Sequence, residues 1–123
     1  MLVVDDHHAI RQGLRSLVGS YSGFTVVGEA ADGEEACALA QQLRPDVILM
    51  DINMPRMNGV DATRHIKTRD PGIAIIGLSV NATSYNQEFM KQAGAALVLP
   101  KELALEELYS AIKDVVGRPH NLG

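Results

Sequence analysis

Tryptophan is absent from this 123-residue chain, cysteine occurs once, and the only aromatic residues are three tyrosines and two phenylalanines. The lone Cys37 excludes an internal disulfide and is expected as a small residue in the core or at its boundary. With so few rings, the core has to be aliphatic. Basic residues are also scarce: 11 Lys and Arg stand against 15 Asp and Glu, for a net charge of −4. Gripping nucleic acid needs a basic face, so direct nucleic-acid binding is not expected. No apolar run reaches membrane-spanning length and no signal peptide is visible, so a soluble, cytoplasmic protein with no membrane partner is expected. What is present is ordinary for a globular fold: 46% hydrophobic and 21% charged residues, enough for one domain with a real core.

Short apolar runs alternate with helical patterns five times. The runs are Leu2–Val4, Phe24–Val27, Val47–Met50, Ile73–Leu78 and Ala96–Leu99. Most are continuous, as expected of strands covered on both faces. Between them lie three amphipathic stripes: Ile10, Leu14, Leu17 and Val18; Ala36, Leu39, Ala40 and Leu43; and Leu105, Leu108, Tyr109, Ile112 and Val116. Asp32-Gly33-Glu34-Glu35 reads as an N-cap with an acid three residues on, and Gly117 with Pro119 ends the last helix. The first run begins directly after Met1, a short lead expected of one module of a longer chain. This alternation predicts an α/β, doubly wound parallel sheet with helices on both faces. Ligands in such folds bind beyond the carboxyl ends of the strands, where the strand order switches.

Those ends carry the chemistry. The first run breaks into Asp5-Asp6-His7-His8, the third ends at Asp51, the fourth at Ser79, and the fifth at Pro100-Lys101. Singly, each residue has an ordinary reading. Asp6 caps a helix, Asp51 is a solvated strand-end acid, Ser79 is a turn hydroxyl, and Lys101 is a solvated charge. Jointly they bring three carboxylates, a hydroxyl and an ammonium to one sheet edge. Three packed carboxylates demand a cation, and a hard divalent ion such as Mg²⁺ suits all-oxygen ligands. His7 and His8 are expected to diverge at a helix start, and no other Cys or His stands at ligand spacing, so neither is expected to be a metal ligand.

On the motifs "VVDDH", "RPDVILMDINMPRMNG", "GLS" and "GAALVLPK", in that order, residues 2–117 resemble a receiver domain of bacterial two-component signalling, in the CheY-like superfamily. "DDHHAIRQGLRSLV" and "FTVVGEAADGEEA" look most like receivers of the NarL/LuxR type, and hybrid-histidine-kinase receivers are similar. The resemblance implies a flavodoxin-like (βα)5 three-layer sandwich with strand order 2-1-3-4-5. It implies that Asp51 accepts a phosphoryl group from a sensor histidine kinase or phosphotransfer domain. Asp5, Asp6, Asp51 and the backbone carbonyl of Asn53 would hold Mg²⁺, Ser79 would be the switch hydroxyl, and Lys101 would bind phosphate. Residues 1–117 would be the receiver, with 118–123 a C-terminal tail or the start of a linker. A homodimer and a covalently linked DNA-binding or kinase domain outside the chain are the further implied partners. Such a domain is no turnover enzyme, catalysing only its own phosphorylation and dephosphorylation. Two positions depart from the family pattern. Val98 stands where many receivers place an aromatic ring, and Pro100 precedes the lysine rather than following it.

Three rival readings are distinguished by particular residues. A flavodoxin-like nucleotide binder wants a Gly- or Ser/Thr-rich loop after its first strand, where this chain has two acids that repel phosphate. A haloacid-dehalogenase-type phosphatase wants a second acid two residues after its nucleophile, where this chain has Asn53. A degenerate receiver acting only as an interaction module would lack one of the acids or the lysine, and here all are present.

Overall fold

The computed structural model describes residues 1–79 and 84–116. Five parallel strands form one sheet of order β2-β1-β3-β4-β5, the order that the resemblance implies. The elements run β1 (Leu2–Val4), α1 (His8–Gly19), β2 (Gly28–Ala30), α2 (Gly33–Leu43), β3 (Val47–Asp51) and α3 (Gly59–Arg69). They continue with β4 (Ala74–Ser79), α4 (Ser84–Ala93), β5 (Leu97–Pro100), a 3-10 turn (Lys101–Leu103) and α5 (Ala104–Val116). The expected stop at Gly117 and Pro119 lies outside the described residues.

The continuous apolar runs serve two cores. Leu2, Val4, Ile48, Met50 and Ile75 point to one face, where Ala36, Ala40, Ala62, Ile66 and Met90 of α2, α3 and α4 cover them. Val3, Val47, Leu49, Ile76 and Leu78 point to the other, against Leu14 and Val18 of α1 and Leu108, Ala111, Ile112 and Val115 of α5. Alternate residues of one strand thus feed opposite layers, so every position must be apolar. The helical stripes are narrower than their periodicity predicts. Their centres are buried, but Ile10, Leu43, Tyr109 and Val116 at the margins are exposed. Cys37 is partly buried at the boundary, its thiol 3.7 Å from the Met57 sulfur.

The second strand is a correction. It spans Gly28–Ala30, not the apolar run Phe24–Val27. Register decides this, because Leu2, Val3 and Val4 pair with Gly28, Glu29 and Ala30. The run before them is hydrogen-bonded to the first residue: Val27 N–H donates to the Met1 carbonyl, and the Met1 ammonium donates to the Thr25 carbonyl. Phe24 instead packs edge-on against Tyr21 and Tyr109.

Two glycines let the loops close over the sheet edge. A Cβ on Gly59 would lie 2.2 Å from the Asp51 carbonyl oxygen, and one on Gly33 would lie 2.1 Å from that of Met57. Both obstacles are backbone and cannot swing aside. Between them, the expected cap is reciprocal: Asp32 accepts from Glu35 N–H, and Glu35 accepts from Ala31 N–H. Asp32 also accepts two hydrogen bonds from the guanidinium of Arg56, whose φ of 64° places it in the left-handed region. This clamp joins the turn before α2 to the loop after β3.

Gly59→Ala is expected to lower stability by at least about 2 kcal/mol through overpacking against fixed backbone. Gly13→Ala, at a helical position with open space around it, should raise stability by roughly 0.5–1 kcal/mol. Urea midpoints of the two variants should therefore move in opposite directions.

Candidate functional site

Asp5 follows β1 and is fully buried. Its backbone N–H extends the ladder to the Ala30 carbonyl at 3.1 Å, which aims the side chain past the sheet edge. One carboxylate oxygen accepts from His7 N–H at 2.8 Å, and the other accepts from the Lys101 ammonium at 2.7 Å. The Asp5 carbonyl accepts from Arg11 of α1 at 2.8 Å, so helix and strand end are tied together. Asp51, the last residue of β3, is 3% exposed and lies 3.3 Å from the same ammonium. Lys101 begins the 3-10 turn after β5, and in this way residues 96 positions apart meet. Ser79, the last residue of β4, is buried beside this edge and stands opposite Pro100 in register. Asp6 is exposed, and Asn53 lies exposed in the bend just beyond Asp51.

Three carboxylates thus face one ammonium. Burial, and then the Asp5 charge, raise the Asp51 pKa from 3.8 to about 6 against the opposing pull of Lys101. Burial by itself would lower the Lys101 pKa, but its hydrogen bond to Asp5 and the charge of Asp51 outweigh that, and the net shift is upward. The ammonium is locked in its charged form. The acids remain under-compensated, which is the electrostatic condition for a divalent cation. Asp5, Asp6 and Asp51 each offer an oxygen within 4.8 Å of the others, a donor set that fits a hard, oxygen-preferring ion.

The five expected side chains, Asp5, Asp6, Asp51, Ser79 and Lys101, therefore do gather at one edge. Two features escaped the sequence. The His7 ring turns back, with Nδ1 3.1 Å from an Asp6 oxygen and 3.4 Å from an Asp5 oxygen, and it belongs to the cluster. His8 diverges as expected, its ring nitrogen 3.2 Å from the Arg11 guanidinium. The signal for His7 was its place between strand end and helix, since an N-cap residue has extended backbone and its side chain can fold back. The Arg56 clamp had no signal, because nothing in "MPRMNG" announces a left-handed arginine.

The family model described as response regulator receiver domain matches residues 1–113. This chain belongs to that family. It is 39% identical over 115 residues to the response regulator GacA of Pseudomonas aeruginosa, covering 94% of this chain and 54% of that protein. It is 37% identical over 115 residues to the transcriptional regulatory protein DegU of Brevibacillus brevis, covering 94% and 49%. The chain thus spans about half the length of the curated relatives it matches. Among solved structures, the receiver domain of the putative response regulator NarL from Mycobacterium tuberculosis superposes with a TM-score of 0.89 at 30% identity, covering 95% of each chain. A LuxR-family two-component response regulator from Aurantimonas gives a TM-score of 0.89 at 35% identity, covering 94% of this chain and 82% of that one. These likenesses place the domain with NarL/LuxR-type receivers, whose role is to receive a phosphorelay signal.

Val98, one of the two positions that depart from the family pattern, packs against the core on the α4 side of the sheet. A Cβ on Gly77 would lie 2.8 Å from the Met90 methyl and 3.3 Å from Val98. Small and aliphatic groups fill this space.

The raised Asp51 pKa has a stability consequence of definite sign. Between about pH 4 and about pH 6 the folded chain holds a proton that the unfolded chain has released, so stability falls as pH rises through that window. Asp51→Asn in Mg²⁺-free buffer should therefore raise stability at pH 7 by about 1–3 kcal/mol and flatten the decline between about pH 4 and pH 6. Denaturant titrations across that range check it. An equal slope in both proteins would place the shifted group elsewhere.

Proposed function

We propose that Asp51 accepts a phosphoryl group from the phosphohistidine of a sensor histidine kinase or phosphotransfer domain. The observation that supports this is the buried Asp51 carboxylate, 3.3 Å from an ammonium that also binds Asp5. A carboxylate attacks a dianionic phosphoryl group poorly because the two repel. The Asp51 oxygen bonds to phosphorus as the P–N bond to the donor imidazole breaks, and the leaving nitrogen takes up a proton. Charge on the three phosphoryl oxygens is met by Lys101, so the catalysis is positioning and electrostatics. Asp5, Asp6, Asp51 and the Asn53 carbonyl are the groups that would hold Mg²⁺, and when bound it neutralises both the carboxylates and the incoming phosphoryl oxygens.

The product adds roughly −1.5 to −2 charge at Asp51. Ser79 then donates to the new acceptor oxygens and draws the segment before α4 with it, a local event read out by a two-state element. The receiver is read as residues 1–117, with 118–123 the start of a linker or a tail. The cellular setting is the cytoplasm, with no direct nucleic-acid contact by this chain. Its output is a homodimer surface or a DNA-binding or kinase domain outside the chain. The name of the DegU relative, a transcriptional regulatory protein, favours transcription. No external substrate is turned over.

Incubation with Mg²⁺ and acetyl phosphate, followed by intact mass, should add one phosphoryl group to the wild-type chain and none to Asp51→Asn. Asp6→Asn should weaken Mg²⁺ binding and slow labelling while the fold survives. Stoichiometric labelling of Asp51→Asn would show that another residue is the acceptor.

Without an aromatic ring at Val98, the Ser79 movement has to pass through the start of α4. Phe89, 36% exposed on that helix, belongs to the surface that would respond. Val80 and the side chain of Tyr85, expected to shield the acyl phosphate and to share this surface, lie outside the described residues. Beryllofluoride, added as a mimic of the phosphoryl group, should change amide exchange mainly in residues 79–90. Comparable changes across residues 95–101 would reject this route.

A further inference from the structure

Among the described residues, the His7 imidazole is the one side chain in the acidic cluster that is not a carboxylate. Its side chain is 65% exposed, yet Nδ1 lies 3.1 Å from Asp6 and 3.4 Å from Asp5. Adjacent donors around an octahedral ion at roughly 2.1 Å lie about 3.0 Å apart, and opposite donors about 4.2 Å apart. The His7–Asp6 separation therefore already matches one edge of such an octahedron. The spread of 4.8 Å across the four side-chain donors needs only small side-chain rotations to close. The backbone favours this placement. His7 is the N-cap of α1, its φ of −92° and ψ of 114° are extended, and its N–H is held by Asp5. It makes no side-chain cap hydrogen bond, so the ring is not committed to the helix.

We propose that His7 Nδ1 is a fifth protein donor at the metal seat, beside Asp5, Asp6, Asp51 and the Asn53 carbonyl, so that the seat discriminates in favour of divalent transition ions over Mg²⁺. This rests on the acidic seat proposed above. Mg²⁺ prefers oxygen and gains little from an imidazole, whereas affinity for nitrogen donors rises from Mn²⁺ to Co²⁺ and beyond. Ligation uses the Nδ1 lone pair and leaves the ring proton on Nε2. The rival account of the same distances is a plain hydrogen bond from Nδ1–H to Asp6, which would give no preference among ions.

Tag-free wild-type, His7→Ala, His8→Ala and Asp6→Asn proteins separate these accounts, with Mn²⁺, Co²⁺ and Mg²⁺ alone as probes. Electron spin-echo modulation of bound Mn²⁺ should show ¹⁴N coupling in wild type and His8→Ala, and none in His7→Ala. Calorimetric titration should show Co²⁺ affinity falling about tenfold in His7→Ala, with Mg²⁺ affinity changing less than twofold. Circular dichroism should be unchanged, because the ring makes no cap. Mn²⁺ bound in an Asp6-dependent way without ¹⁴N coupling, or an unchanged Co²⁺-to-Mg²⁺ ratio in His7→Ala, overturns the role of His7 and leaves the seat intact. Binding of all three ions unaffected by Asp6→Asn overturns the seat and the inference together.

Discussion

The Lys101 ammonium is the contact on which the functional edge depends. It lies 2.7 Å from Asp5 and 3.3 Å from Asp51, both of them buried acids. Two carboxylates out of water repel strongly, and each carries a desolvation penalty of several kcal/mol. One cation placed between them makes the edge foldable, but it leaves Asp6 and part of the remaining charge unmatched. Burial first, and the Asp5 charge second, raise the Asp51 pKa, and the surplus negative charge favours a divalent cation.

The sheet order is what allows this contact. β1 and β3 are adjacent, so Asp5 and Asp51 leave the sheet side by side, while β5 delivers Lys101 from two strands away. The loops above the edge are held by backbone packing. Gly59 lies against Asp51 and Ile52, Gly33 lies against Met57, and the Asp32–Arg56 pair fastens one loop to the other. The β3 loop beside Asp51 is thereby held by backbone packing and by the ion pair together. Around Gly77, the nearest side chains are those of Met90 and Val98.

Much of this was legible in the residues themselves. Alternation of runs and stripes determined the class of fold, because strands covered on both faces must be apolar at every position, as Val47 to Met50 are. The acids, the hydroxyl and the lysine stood at run ends, where a parallel sheet gathers its loops, so the site followed from the topology once the strands were recognised. The Asp32 cap was legible for the same reason: its partners lie within four residues. What depends on local chain geometry can be read locally.

Tertiary structure decided the rest. Phe24–Val27 reads as a better strand than Gly28–Ala30, and only the register against Leu2–Val4 selects the latter, because a strand is defined by its partner. Ile10, Leu43, Tyr109 and Val116 have the right period but remain exposed at the margins of their stripes. Arg56 in a left-handed turn and the His7 ring folded back onto Asp6 depend on contacts that no spacing rule encodes. The amino-acid sequence determined which charges would meet. Their imbalance, and with it the raised Asp51 pKa, was set only when folding removed the water between them.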